Sequence, residues 1–257
     1  MSNISPDVQK LKLTLEQYAQ IHPVHIEENN GKKIIFSTPT IPTKWRAERL
    51  YINEPKTLEW ISNFDQDDTM FDVGANVGMY SIWAAATKGI NVIAIEPESQ
   101  NYAVLNKNIL LNNLKDKVTA LCFAMSDEEK ISELNLSSFT AGQALHGFDK
   151  PMNTVDVYSE KLEEFKPVFT QGCMAMTIDS LVERGIPSPD HIKIDVDGFE
   201  DKVIAGGMQT IKKGKVKTIL IEINQNIDKH IEIVKDLENL GYIVDNKTDP
   251  NFIFRNS

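Results

Sequence analysis

FDVGANVGMYS, residues 71 to 81, is the stretch from which the rest of the chain can be read. An apolar run reaches Asp72, turns through Gly74, Ala75, Asn76 and Gly78, and enters a segment where Met79, Ile82, Trp83 and Ala86 recur at helical spacing until Gly89. Gly74 permits a tight strand-to-helix turn and close approach of a ligand to the backbone, and Gly78 lets the helix pack against the sheet. The spacing is G-x-x-x-G, whereas a pyrophosphate cradle favours G-x-G-x-x-G. An acid at the mouth of the loop repels phosphate and favours an ammonium or a sulfonium. The loop therefore asks for a cationic ligand.

Outward from this loop, short runs rich in Val and Ile at 69–73, 91–95, 118–123, 191–196 and 216–223 alternate with amphipathic stretches. The stretches fall at 77–88, 100–112, 200–212 and 228–240, as expected for strands buried on both faces between crossover helices. The last two runs, GYIVD and NFIFR, are joined by NKTDPN, too short for a crossover, so they pair antiparallel. The expected fold is α/β: a Rossmann-like class I methyltransferase fold with a mostly parallel seven-stranded sheet ending in an antiparallel hairpin.

Upstream, residues 6–20 read as a helix with Ser5 as N-cap and Pro6 at its first position. VHIEENNGKKIIF reads as two strands around Asn30-Gly31, and TKWRAERLYINEPKTLEWI as a second helical stretch. Residues 1–64 are taken as an N-terminal extension of helices and a small hairpin, and 65–257 as the ligand-binding domain. Within the latter, 126–176 breaks the βα rhythm and reads as a substrate-facing insert.

With 27 basic and 37 acidic side chains among 257 residues, the net charge is −10, and the lysines are scattered. Nucleic acid is not an expected partner. No apolar run is long enough to span a membrane and no secretory leader is read, so a cytoplasmic location is expected. Cys122 and Cys173 form no C-x-x-C and read as core thiols. The composition gives no reading of oligomeric state.

Glu96 ends the second strand of the series in AIEP, where a carboxylate can accept both hydroxyl protons of a ribose. FDVGANVGMYS, IEPESQNYAVLNKNI, MTIDSL, HIKIDVDGFEDKVIAGG and TILIEIN together resemble the successive motifs of the FkbM-family S-adenosylmethionine-dependent methyltransferases, from about Thr69 to Asn224. The resemblance implies a Rossmann-like fold, S-adenosyl-L-methionine as co-substrate, and methyl transfer to a hydroxyl of a sugar, glycan or secondary metabolite. It matches Asp72, Gly74, Ala75, Asn76 and Gly78 to the cofactor loop and Glu96 to the ribose acid. Ala124, Met125 and Ser126 fall where enzymes of this class contact the adenine.

In an open α/β sheet the crevice lies at the carboxyl ends of the strands, which puts Asp72, Glu96, Asp195 and Glu222 on one rim. Asp195 is expected to hold the methionine ammonium or to act as general base, with His146 on the insert as the alternate base. Asp197 reads as the cap of a helix starting at Phe199. A divalent metal is not expected, although Asp195, Glu222 and Asn224 resemble the acid and amide set of catechol-type methyltransferases. Two other readings stand beside this one: a non-catalytic S-adenosylmethionine-binding partner subunit, and a nicotinamide-dependent oxidoreductase, for which the glycine spacing is wrong.

Overall fold

The computed structural model describes residues 14–151, 153–155, 162–164, 166–223, 228–248 and 250–257. Ser5, Pro6 and Asn224 lie outside them. The chain opens with α1 (Leu15–Ala19), the hairpin β1 (Val24–Asn29) and β2 (Lys32–Ser37), then α2 (Ile41–Glu48), α3 (Leu50–Asn53) and α4 (Pro55–Ser62). A βα series follows as β3 (Thr69–Val73), α5 (Met79–Lys88), β4 (Asn91–Ile95), α6 (Ser99–Leu111) and β5 (Val118–Leu121). The insert supplies β6 (Ala124–Met125), β7 (Lys130–Leu136), β8 (Gly147–Phe148), β9 (Asn153–Val155), β10 (Leu162–Glu164) and β11 (Phe169–Met176). The series resumes with α7 (Ile178–Glu183), β12 (His191–Ile194), α8 (Glu200–Gly206), α9 (Met208–Lys212) and β13 (Thr218–Glu222). It ends with α10 (Asp228–Asn239), β14 (Tyr242–Thr248) and β15 (Asn251–Asn256).

The main sheet runs β14-β15-β13-β12-β3-β4-β5. Its pairs from β13 to β5 are parallel, and β15 and β14 add antiparallel at the edge. The β3 strand is buried along its whole length, which is why its sequence shows no alternation. One face is covered by α5 and α6 together with residues Ile34, Phe36, Leu50, Trp60 and Ile61 from the N-terminal segment, all in one apolar cluster. On the other face Val203, Ile204, Ile211, Ile233 and Leu237 pack over Phe71, Ile192 and Ile219. The edge of β2 is satisfied by side-chain amides: Ile35 N and Ser37 N donate to Asn112 Oδ1 and Asn108 Oδ1 of α6 at 2.8 and 2.7 Å.

Several local expectations change, each for a physical reason. The stretch 43–61 is not one helix, because Glu54 precedes Pro55 and is driven out of the helical region (φ −137°, ψ 65°), so Pro55 opens α4. The 200–212 helix breaks at Gly207, where a Cβ on Gly206 would overlap the Ser126 carbonyl oxygen; Asp179 then caps α9 by accepting from Gln209 N and Thr210 N. The 191–196 strand stops at Ile194. Cys122 is exposed, unlike Cys173, because β5 ends at Leu121.

At the far end of the sheet from the glycine loop, His191 Nε2 donates to Asp68 Oδ2 (2.9 Å), and Thr218 Oγ1 donates to His191 Nδ1 (2.7 Å). Trp60 Nε1 donates to Thr218 Oγ1 at 2.8 Å, and Phe64 stacks on the imidazole at 3.6 Å. Burial lowers the His191 pKa, against the pull of Asp68, so the folded chain resists protonation that the unfolded chain accepts. This contribution to stability is present above the ordinary histidine value and lost as pH falls below it. In paired melts, the advantage of wild type over His191→Asn, about 1–3 kcal/mol at neutral pH, should shrink between about pH 7.5 and 5.5. A gap independent of pH would show that His191 is not buried neutral.

Candidate active site

Gly74 N and Ala75 N both donate to Ile95 O at 3.0 Å, so the glycine loop is tied to the end of β4. Gly74, at φ +82°, leaves no room for a Cβ, which would overlap the Asp195 carbonyl oxygen; the close approach is to the neighbouring strand's backbone rather than to a ligand. A Cβ on Gly78 would meet Leu105, so that glycine admits α6 against α5. Asn76, at φ 51°, sends its N–H to Glu96 Oε2 (2.8 Å) and its Nδ2 to Gln143 O (2.7 Å).

Beside this loop a cavity of about 150 Å³ opens at the carboxyl ends of β3, β4 and β12. Gly74, Asn76, Glu96, Met125, His146 and Asp195, all candidates in the sequence, line it together, joined by Arg46, Asn101, Asp197 and the apolar Pro97, Phe148 and Phe199. Glu96 is 4% exposed and accepts one N–H on each oxygen, from Asn76 and from Glu98 (both 2.8 Å). Burial pushes its carboxyl up to about 7, against those two donors.

Four expected residues stand elsewhere, Gly78 at the α5–α6 contact among them. Asp72, 1% exposed, is turned away from the rim: Ser81 Oγ donates to its Oδ2 at 2.5 Å, and its Oδ1 has no hydrogen-bond partner among the described residues. Burial raises its pKa, opposed by Lys193. Ala75 lines a smaller cavity behind the loop. Ser126 Oγ donates to Asp127 Oδ1 at 2.9 Å and borders a separate surface pocket. Asp197 does not cap α8; Glu200 Oε1 takes the N–H groups of Val196 and Gly198 instead, and Asp197 Oδ2 accepts from Leu145 N at 2.7 Å. Burial, with Asp195 beside it, pushes the Asp197 carboxyl up to about 6.

The insert closes over the cavity as a strap. Thr40 Oγ1 donates to Ala141 O (2.7 Å), Arg46 Nε to Gly142 O (2.6 Å), and Asn101 Oδ1 accepts from Gly142 N (2.6 Å). His146 follows the strap. Its Nδ1 accepts from Ser137 N at 3.2 Å, so the neutral ring carries its proton on Nε2, and that buried N–H has no partner among the described residues. Burial lowers its pKa. With Nδ1 engaged by Ser137 and the proton on a buried Nε2, the ring has no free lone pair to take another proton, which argues against His146 as a base.

Arg46 and Lys193 are functional candidates that motif reading missed. Lys193 leaves a signal, a cation inside the apolar run HIKI; Arg46 leaves none. Lys193 Nζ donates to Asp195 Oδ2 at 2.8 Å. Burial alone would raise the Asp195 pKa, but the Lys193 charge and hydrogen bond outweigh it and hold this carboxyl below the ordinary range. Glu222 shares a hydrogen bond with Asp195; burial and the Asp195 charge push its own pKa upward. Among the described residues no group of three or more His, Cys, Asp or Glu side chains is placed to hold a metal.

The large, mostly parallel sheet with helices on both faces is a Rossmann-like α/β fold. A profile described as the methyltransferase FkbM domain matches residues 72–244, and the chain belongs to that family. Hexuronic acid methyltransferase AglP of Haloferax volcanii is 27% identical over 207 residues, 79% of this chain and 75% of that protein. The 31-O-demethyl-FK506 methyltransferase FkbM of Streptomyces tacrolimicus is 26% identical over 203 residues, 72% of this chain and 76% of that one. In fold, the chain is similar to a methyltransferase FkbM from Methylobacillus flagellatus, with TM-score 0.51 and 14% identity. That match covers 75% of this chain and 44% of the other. No helix among the described residues is long and apolar enough to cross a membrane.

Proposed function

We propose that this methyltransferase moves the methyl group of S-adenosylmethionine to an oxygen of a hydroxylated small molecule or glycan, as the names of its relatives suggest for them. The observation that carries the reading is Glu96. It is a buried carboxylate on the cavity floor whose two oxygens are each held by one backbone N–H and keep lone pairs for a vicinal diol.

When bound, the sulfonium supplies an electrophilic methyl. The chain's residues do the rest. Glu96 accepts the ribose hydroxyls, Pro97, Met125 and Phe148 give the base an apolar slot, and the 141–145 strap excludes water. The pairing with Lys193 separates the two roles expected of Asp195: a carboxylate held ionised is a weak base and a good partner for an ammonium. Its hydrogen-bonded neighbour Glu222 lines an adjoining cleft with Asn53 and Glu54 and is pushed up to about 8, so it is the better-matched acceptor of the proton from a hydroxyl bound in that cleft.

Calorimetry with S-adenosylhomocysteine, followed by turnover on a panel of sugars, uronic acids and polyketides read as adenosylhomocysteine release, tests this. Glu222→Gln should lower kcat by about 10²- to 10⁴-fold with adenosylhomocysteine affinity nearly unchanged. No binding heat would end the cofactor assignment, and an unaltered kcat would remove Glu222 from proton transfer.

A further inference from the structure

Lys193 sits in the middle of β12 between Ile192 and Ile194, in register with Asp72 of β3 and Leu220 of β13, and is 1% exposed. Nothing in the packing of a central parallel strand calls for a cation, and burying one is unfavourable unless it is paired. Its Nζ is 2.8 Å from Asp195 Oδ2, two residues on and on the same face, and 5.1 Å from the Tyr80 ring centroid. A cavity of about 50 Å³ lies here, lined by Arg46, Asn53, Glu54, Tyr80, Lys193 and Asp195 among others. It shares Arg46, Gly74, Asn76 and Asp195 with the larger cavity. Two cations, Arg46 and Lys193, thus face two carboxyls, Glu54 and Asp195, at the end of the site away from Met125 and Phe148.

We propose that Lys193 is a positioning residue: a buried cation that keeps Asp195 ionised and aimed, so that Asp195 receives the ammonium of the cofactor's amino-acid end. This rests on the adenosylmethionine reading above. The groups around Asp195 make the need for such a cation plain. Glu222 from β13 shares its hydrogen bond, Asp197 and Glu200 follow on the loop and α8, Glu54 comes from the α3–α4 junction, and Asp72 lies behind on β3. Arg46 of α2 is another positive charge acting on Asp195, and Tyr80 of α5 is partly buried with its hydroxyl beside Glu54. Carboxyls this close cannot all ionise. With Lys193 in place the Asp195–Glu222 pair carries one proton, on Glu222, near neutral pH; without Lys193 it would take up a second, and a protonated Asp195 attracts an ammonium far less. Lys193 itself remains charged, because its acidic neighbours outweigh its burial, so it is not the base.

The test compares two ligands that share the nucleoside: S-adenosylhomocysteine, which carries the ammonium, and 5′-methylthioadenosine, which lacks it. Effects at Glu96 cancel in the ratio of their affinities. In wild type this ratio should be nearly flat between about pH 5.5 and 8, changing by no more than about threefold as Asp197 and Glu222 titrate beside an Asp195 that stays ionised. In Lys193→Met it should fall by about 10- to 100-fold at the acid end and recover as pH rises, with methylthioadenosine binding nearly unchanged. Lys193→Arg should restore most of the flat profile. If the Met variant does not fold, Lys193→Gln carries the same comparison. Parallel loss of both ligands, or a ratio in the variant that tracks wild type, would overturn the assignment. Failure of wild type to bind either ligand would instead strike the cofactor reading itself.

Discussion

Gly74→Ala should lower unfolding free energy by about 2–5 kcal/mol and abolish detectable adenosylhomocysteine binding. Two penalties add. A left-handed φ of +82° costs an L-residue about 1–2 kcal/mol, and the new methyl overlaps the Asp195 carbonyl oxygen and lies 2.9 Å from its carbon. These are backbone atoms at the end of β12, so no side chain can swing aside, and overpacking of this kind costs about 1–3 kcal/mol. A domain with about 5–15 kcal/mol in total loses a large part of its stability. Gly89→Ala is the control: its φ is +72°, but nothing lies within 4 Å of the added Cβ, so only the conformational penalty, about 1–2 kcal/mol, applies. Urea melts of the two variants separate the contributions, and equal losses would show that the Asp195 contact is readily relieved.

That contact also explains how far the sequence could be read. The runs at 69–73 and 91–95 coincide with β3 and β4 because a strand buried on both faces leaves a purely local mark. Helix ends at Gly89 and Gly241 are equally local, each glycine having a positive φ. What local pattern cannot carry is a partner distant in the chain. Gly206 is set by Ser126, Asp197 by Leu145, and the strap by Thr40, Arg46 and Asn101, so the break in 200–212 and the covered cavity leave no periodicity to read. Asp72 illustrates the reverse error. Its place in the motif was legible, but strand alternation turned its side chain toward Ser81 and Lys193, one layer behind the cavity. It supports the site through Lys193, which then acts on Asp195.

Glu96→Ala should weaken adenosylhomocysteine and methylthioadenosine alike, by about 10²- to 10⁴-fold. Hydrogen bonds to a charged acceptor contribute about 1.5–3 kcal/mol each, and a vicinal diol would make two. The same deletion strands Asn76 N and Glu98 N, the first of which fixes the glycine loop and the second the turn into α6. Glu96→Gln is not a gentle substitute, because its amide NH₂ must face one of those N–H groups, donor against donor. It should lose nearly as much as Ala. The shared loss distinguishes the ribose end from the ammonium end, where Lys193→Met separates the two ligands. The pH dependence has its own sign: with the free carboxyl pushed up to about 7, nucleoside affinity should rise as pH climbs through that value, since diol hydroxyls donate best to the ionised form. A Glu96→Ala variant that binds both ligands as wild type does would place the ribose elsewhere, and the reading of the cavity built on Glu96 would fall with it.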